Sequence, residues 1–130
     1  MEYPENITFK REIYGFESIR DFKLTKASEK EDNPFMLLKA KDDSVTFVLL
    51  DPKMFDENYA PPISQELANI LEIKASDNII TLAIVVIPNS IEEMTINLRS
   101  PIIINRDSGN AVQLILDDER YSVRHKILNS

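Results

Sequence analysis

Residues 94–125 constrain the fold of this chain more than any other stretch, because short apolar runs alternate there with polar turns. In the first run every second residue is apolar, which is the two-residue period of a β-strand with one buried face. Pro101 interrupts the run because it has no N–H to donate to a neighbouring strand, and three isoleucines restart it. A turn around Gly109 and a charged turn at residues 117–120 separate two further runs, 111–116 and 121–128. The stretch therefore predicts a meander of antiparallel strands.

The rest of the chain predicts more short strands of the same kind. These strands are expected at residues 7–9, 22–25, 35–40, 45–50, 79–87 and 91–98. The third and fourth flank a polar turn, as the two arms of a hairpin do. Residues 79–87 are apolar on both faces, so we expect that strand to be central and covered.

One segment has a helical period instead. Apolar residues at positions 63, 67, 70 and 71 share one face of a helix. Ser64 is placed to cap the first turn, and Gln65 and Glu66 follow near the positive end of the helix dipole. The pattern predicts one short helix around residues 64–72, which covers one side or end of the remaining structure.

These patterns predict an all-β fold, with a single antiparallel β-barrel-like domain spanning residues 1–130 and one short helix. Nine or ten short strands with tight turns are typical of a sandwich or a barrel. We favour a closed or nearly closed barrel, because closure removes the edge strands that this isoleucine-rich chain would otherwise expose. Apolar residues make up 43% of the chain, which is enough for such a core.

Charge and composition limit the classes of function that this chain can have. The formal charge is −7, and residues 51–93 carry eight carboxylates against two lysines. This acidic sector would repel RNA and attract a basic protein, although a merely solubilising surface is the alternative. No cysteine is present, no signal peptide is apparent, and the longest apolar run is about half the length of a membrane span. We therefore expect a cytoplasmic protein without membrane or direct nucleic-acid contacts.

Catalytic chemistry is poorly supported. His125 is the only histidine, so a zinc site lacks ligands and a Ser-His-Asp triad has a single candidate base without a nucleophile elbow. Two isolated glycines cannot form a phosphate-binding loop. We expect no enzyme, no cofactor and no metal.

Carboxylate pairs at residues 42–43, 92–93 and 117–118 leave one alternative open, a small-ligand or carbohydrate-processing barrel. That alternative requires a pocket of about 300 Å³ or more with at least two converging carboxylates. A protein-binding module requires instead an exposed apolar patch with an acidic rim. An RNA-binding barrel would require a contiguous basic face, which the charge count does not favour.

Two longer motifs and several shorter ones are spread along the chain. The pattern T-x-N-L-x-x-P-I-x-x-N is formed by Thr95, Asn97, Leu98, Pro101, Ile102 and Asn105. The pattern F-x-x-x-D-P-x-x-F-x-x-x-Y is formed by Phe47, Asp51, Pro52, Phe55 and Tyr59. The shorter motifs are Gly15-Phe16-Glu17, Pro34-Phe35 and Tyr121-Ser122-Val123-Arg124. Together they resemble the motifs of the FliW family of bacterial flagellar assembly factors. The resemblance covers almost the whole chain and departs mainly at residues 27–33 and after His125.

The resemblance implies a cytoplasmic, monomeric, non-enzymatic regulator of flagellar filament assembly. Such a protein binds flagellin and, as an alternative partner, the RNA-binding carbon storage regulator CsrA. Flagellin withdraws it from CsrA, and the released CsrA represses flagellin translation. The antagonism of CsrA is implied to be allosteric, away from the RNA-contacting surface.

Two groups of residues are candidates for partner binding. The first group consists of carboxylates of the acidic sector, which we expect to face a basic partner: Asp51, Asp56, Glu57 and Glu92. The second group lies in or near the matched motifs: Asn97, Arg99, Pro101, Tyr121 and Arg124. A structural interpretation of the second group stays open, since Asn97 can bond a strand end, Pro101 can mark a bulge and Tyr121 can fill the barrel rim.

Overall fold

A computed structural model describes residues 3–75 and 78–128, and the nine strands found there form one sheet that closes on itself. The strands are β1 (Asn6–Phe9), β2 (Asp21–Lys26), β3 (Met36–Ala40), β4 (Thr46–Leu50), β5 (Ile79–Val86), β6 (Thr95–Ile96), β7 (Ile102–Asn105), β8 (Asn110–Gln113) and β9 (His125–Lys126). Seven strands follow one another in the order β4, β3, β2, β1, β8, β7 and β5, and pairing of β4 with β5 closes the ring. The predicted closed barrel is confirmed. β6 pairs with β5 outside the ring, and β9 pairs with β6.

One neighbouring pair in the ring is parallel, that of β1 with β8, where Phe9 lies beside Ala111. Antiparallel neighbours alternate in direction, so a closed ring built only from them needs an even number of strands. A ring of seven strands must therefore contain at least one parallel pair. The other pairs around the ring are antiparallel, as the sequence predicts.

The barrel interior is filled by side chains from alternate positions of its strands. Exposed and buried residues alternate along β1 and β2, so that Phe9 and Phe22 point inward. Their rings meet edge to face, with centroids 5.3 Å apart. Ile102 and Ile104 of β7 also lie in this interior cluster and are fully buried. Burial of each such side chain stabilises the fold by about 1.5–3 kcal/mol.

A second apolar cluster covers the outer face of the barrel, and we call it the outer core. β5 is apolar on both faces because Leu82 packs inside the barrel whereas Ala83 and Val85 pack in the outer core. Residues 52–62 and 114–127 contribute the covering side chains, and both segments consist largely of turns and irregular chain. The predicted central and covered strand is thus confirmed.

The helix α1 (Gln65–Leu71) covers another part of the barrel's outer surface, where Leu67 and Leu71 pack on Ile103 and Val112. Ser64 caps its first turn by accepting a hydrogen bond from the Leu67 N–H at 3.0 Å. The helix ends at Glu72, which adopts the left-handed conformation (φ 57°). The predicted helix is confirmed with its cap. Among the residues that the structure describes, no helix has the length and apolar character needed to cross a membrane.

Asn105, the buried asparagine of the matched motif, fastens the end of this helix to the barrel. Its side-chain amide donates to the carbonyl of Leu71 at 2.9 Å and to that of Glu72 at 3.2 Å. Carbonyls at a helix end lack partners within the helix, so these bonds satisfy acceptors that burial would otherwise leave unpaired.

Regular strand structure is shorter than predicted in the last third of the chain. The strand expected at residues 91–98 begins instead with a 3₁₀ turn, Ile91–Glu93, and β6 has two residues. The strand expected at residues 121–128 is reduced to the two residues of β9. Bonds from Leu98 N–H to the Ser122 carbonyl (2.9 Å) and from Ile127 N–H to the Met94 carbonyl (3.1 Å) extend the pairing beyond the regular strands. The expected meander is wrong: β7 pairs with β8, but β5 lies between β6 and β7, and β9 pairs with β6 and not with β8.

Candidate protein-binding site

The matched motif at residues 97–101 holds three segments of the chain together. Asn97 Oδ1 accepts hydrogen bonds from the N–H groups of Arg99 (3.0 Å) and Ser100 (3.1 Å), which pulls this turn out of the strand ladder. The carbonyl of Pro101, itself buried, accepts from Leu114 N–H at 2.9 Å. Arg99 Nε donates to the carbonyl of Tyr121 at 2.8 Å. Asn97 therefore has the hydrogen-bonding role that the sequence left open, whereas Pro101 is buried and its carbonyl pairs with Leu114.

Two tyrosines meet where these segments join. The rings of Tyr59 and Tyr121 are 4.8 Å apart between centroids and inclined at 67°. Tyr59 is 1% exposed, and its hydroxyl donates to the carbonyl of Leu98. Tyr121 keeps part of its surface in solvent. The pair thus links the outer core to the surface.

Burial raises the pKa of the Tyr59 hydroxyl well above its usual value near 10, and the neighbouring Tyr121 and Asp56 raise it further. Below that usual value both the folded and the unfolded chain keep the proton. Above it the unfolded chain loses the proton first, so the folded state loses stability as the pH rises. The group thus contributes stability that is present below about pH 10 and is lost above it.

We therefore expect replacement of Tyr59 by Phe to make stability depend less steeply on alkaline pH. The measurement is the urea midpoint of both proteins from about pH 8 to about pH 11, where the wild-type midpoint should fall more. A residual fall is expected in the variant, because burial also raises the pKa of Tyr3. Parallel curves for the two proteins would contradict the assignment.

Arg120 folds over Tyr121 and is held by Asp118. Its Nη2 lies 2.7 Å from Asp118 Oδ2, and its Nε lies 3.1 Å and 3.2 Å from the two carboxylate oxygens. The guanidinium carbon lies 5.5 Å from the centre of the Tyr121 ring. The hydrogen bonds from the Arg120 side chain and backbone lower the pKa of Asp118, and those to Asp118 raise the pKa of Arg120.

A groove of about 300 Å³ opens beside this arrangement, and we call it the tyrosine groove. It is lined by Ala60, Pro61, Pro62, Leu116, Asp117, Asp118, Arg120 and Tyr121. One wall is apolar and stiff, because two consecutive prolines have restricted backbones. Carboxylates, an aromatic ring and the guanidinium group of Arg120 are also part of the lining. The groove can therefore hold a side chain with an apolar stem and a cationic end.

The acidic candidates do not converge on one surface. Asp56 lies near the tyrosine groove, since its charge acts on Tyr59 and Arg120. Asp51 caps a 3₁₀ turn by accepting from Lys53 N–H at 2.9 Å, and it lines a separate cavity of about 160 Å³ with Tyr3 and Arg106. Asp51 and Asp56 thus lie beside different recesses of the surface.

Glu57 is exposed on the segment that covers the outer core. Glu92 accepts from the Ser90 hydroxyl at 2.6 Å, and this bond lowers the pKa of Glu92. Of the second group, Arg99 bonds the carbonyl of Tyr121, which lines the groove, whereas Arg124 lies on the exposed chain before β9.

Several residues of the groove are not binding candidates on the sequence alone. In the sequence, Asp118 belongs to a carboxylate pair within the charged turn that also contains Arg120. Tyr59 was noted only as part of a family motif. No local pattern reveals that residues so far apart in the sequence share one surface. An exposed Asp-x-Arg turn followed by Tyr is the nearest signal, since such a spacing allows the arginine to stack on the ring.

The tyrosine groove has the volume and the two carboxylates that a carbohydrate-processing site would require. Asp118 does not suit the role of the general acid in that chemistry, because the general acid of a glycosidase needs a raised pKa. Arg120 lowers the pKa of Asp118 instead. Within residues 3–75 and 78–128, no three His, Cys, Asp or Glu side chains are grouped as metal ligands would be.

The fold and the groove define a small closed β-barrel protein with an aromatic and acidic surface recess. A family model described as FliW protein matches residues 1–127. The flagellar assembly factor FliW of Caldanaerobacter subterraneus subsp. tengcongensis is 42% identical over 94% of this chain and 81% of its own length. That of Thermoanaerobacter pseudethanolicus is 42% identical over 98% and 87%. That of Thermosipho africanus is 40% identical over 98% and 89%.

A crystal structure of a flagellar assembly factor FliW superposes with a TM-score of 0.84 and covers 100% of this chain and 90% of that chain. The two sequences are 22% identical, so this likeness speaks for the fold alone. The sequence matches establish the family: the chain belongs to the FliW family of flagellar assembly factors.

Proposed function

We propose that this protein is a monomeric, non-enzymatic regulator of flagellum assembly that binds flagellin and CsrA in the cytoplasm as alternative partners. Binding antagonises CsrA allosterically, from a surface away from its RNA contacts, and so permits flagellin translation. Flagellin that accumulates withdraws the protein from CsrA, which then represses translation. The observation that carries the proposal is the family match over residues 1–127.

The surface of the molecule also supports a protein-binding role. Val86, Ile87 and Ile91 are 54% to 58% exposed and lie close together in the sequence. The carboxylates of Glu92 and Glu93 follow them directly. An exposed apolar patch with an acidic rim is the surface expected of a protein-binding module.

We expect the purified protein to bind CsrA with an association rate that falls about tenfold between low and high salt. The net charge of −7 steers a basic partner toward the surface, and salt screens this attraction. Replacement of Asp56 and Glu57 by Asn and Gln should lower the association rate at low salt. The measurement is surface-based binding kinetics at several salt concentrations, with CsrA and flagellin from the same organism.

A matched control is the pair Glu31→Gln and Asp32→Asn, which removes the same charge from the exposed loop before β3. This variant should keep most of the low-salt rate if the location of the charge matters. Flagellin added to the CsrA complex should displace CsrA. Absence of binding to both partners would overturn the proposed function, and a rate independent of salt would overturn the electrostatic account.

A further inference from the structure

The tyrosine groove combines apolar side chains with carboxylates. Pro61, Pro62 and Tyr121 line the same recess as Asp117 and Asp118. A long cationic side chain matches this combination, because its aliphatic stem can contact the apolar side chains while its charged end meets a carboxylate. The stiff proline wall also means that little ordering is needed when a ligand enters.

Arginine fits the groove better than lysine. A guanidinium group is planar, so it can stack on an aromatic ring and at the same time bond both oxygens of a carboxylate. An ammonium group offers no such plane. Arg120 of this chain makes both contacts, over the ring of Tyr121 and to both oxygens of Asp118.

Arg120 is held there only loosely. Its side chain is 79% exposed, and ion pairs at such exposure contribute little to stability because water and salt screen them. The surrounding charge is negative even with Arg120 in place. Three carboxylates, Asp56, Asp117 and Asp118, lie in or near the groove against the guanidinium groups of Arg99 and Arg120.

We propose that the tyrosine groove binds an arginine side chain presented by a protein partner, and that Arg120 occupies the guanidinium position when no partner is bound. The incoming arginine stacks on Tyr121, pairs with Asp118 and displaces Arg120 into solvent. Arg120 then acts as an internal competitor, which lowers the affinity of the groove for the incoming arginine. The inference deepens the proposed function, on which it rests for the identity of the partner, and the groove itself can be tested without flagellin or CsrA.

The test is an NMR titration of the full chain with the blocked peptide acetyl-Gly-Ser-Arg-Ser-Gly-amide. Two matched peptides carry lysine or citrulline, an uncharged analogue of arginine, in the central position. We expect arginine to bind best and citrulline not to bind, with shifts centred on Tyr121 and Arg99. Arg120→Ser should strengthen arginine binding about fivefold, because the competitor is removed. Asp118→Asn should weaken binding about tenfold, because the charged hydrogen bonds are lost.

The matched control is Asp42→Asn, which removes a carboxylate from an exposed turn of the β3–β4 hairpin where it bonds Ser44. It should leave the affinity unchanged. Equal binding of the citrulline peptide, or an equal loss in Asp42→Asn and Asp118→Asn, would overturn the arginine site. Weaker binding in Arg120→Ser would overturn the competitor role. Since the probe is a peptide, these outcomes are independent of whether flagellin and CsrA bind.

Discussion

Replacement of Gly109 by alanine is expected to lower the free energy of unfolding by about 3–5 kcal/mol. Gly109 has a φ of +82°, a conformation that L-residues with a side chain rarely adopt. A Cβ added there would lie 2.0 Å from the carbonyl oxygen of Asn6 and 3.2 Å from its carbonyl carbon. Both atoms belong to the backbone, so no side-chain rotation can relieve the contact. The start of β1 would have to move away from β8.

The Gly109 substitution should also weaken the closure of the barrel. The Gly109 carbonyl accepts from Thr8 N–H at 3.0 Å, and this bond lies at the start of the parallel pairing of β1 with β8. A displaced β1 would weaken its pairing with β8, which is one of the pairings that close the ring of strands. Urea unfolding followed by circular dichroism measures the loss, and the amide protection of Thr8 and Lys10 should fall first.

Gly15→Ala is the matched control. Gly15 also has a positive φ, +89°, but a Cβ built there meets nothing within 4 Å. Only the conformational strain remains, which is about 1–2 kcal/mol for one residue. If both variants lose the same stability, the close approach of Asn6 to Gly109 is not what makes glycine necessary at that turn.

Features that depend on neighbouring residues were predicted well from the sequence. The helix has a local period and a local cap, and Ser64 and Leu67 lie where these signals place them. The hairpin of β3 and β4 is similarly local, with a polar turn between two apolar runs. Closure of the barrel was inferred from the need to avoid exposed strand edges, which is a general requirement and not a local one.

The parallel pairing of β1 with β8 could not be inferred in this way. It joins strands from opposite ends of the chain, and no turn chemistry between them records their direction. The shortened strands have a different cause. Alternation of apolar residues continues through residues 94–98, but residues 91–93 form a 3₁₀ turn in which the Glu93 N–H bonds the Ser90 carbonyl, so the strand begins later than the pattern predicts.

In the candidate site, too, features with a local sequence signal were predicted, and features that depend on the fold were not. The sequence identified Tyr121 and Arg99, which the structure brings together, because both lie in recognisable motifs. It grouped the carboxylates by their position along the chain, whereas the fold distributes them over separate turns. Asp51 is the clearest example, since its carboxylate caps the turn that follows β4. Charge counted along a sequence is therefore a weak guide to charge on a surface.

Replacement of Tyr59 by alanine is expected to lower the free energy of unfolding by about 3–5 kcal/mol, the usual loss for a large buried ring. Tyr59 lies in the outer core with 1% of its surface exposed, and its hydroxyl bonds the carbonyl of Leu98. Truncation leaves a cavity and an unpaired buried carbonyl. Tyr59→Phe keeps the ring and removes only the hydrogen bond, so about 1–2 kcal/mol should be lost. Urea unfolding at neutral pH separates the two contributions.

The same substitution should loosen the tyrosine groove, because the Tyr59 ring supports that of Tyr121 at a centroid distance of 4.8 Å. Tyr59→Ala should therefore shift the NMR signals of Tyr121 and Arg99 under folding conditions, whereas Tyr59→Phe should leave them nearly in place. Tyr14→Ala removes an aromatic ring that is 80% exposed and should cost less than about 0.5 kcal/mol. Equal losses in the alanine and phenylalanine variants of Tyr59 would mean that the ring does not support the outer core, and the link from packing to groove would then be wrong.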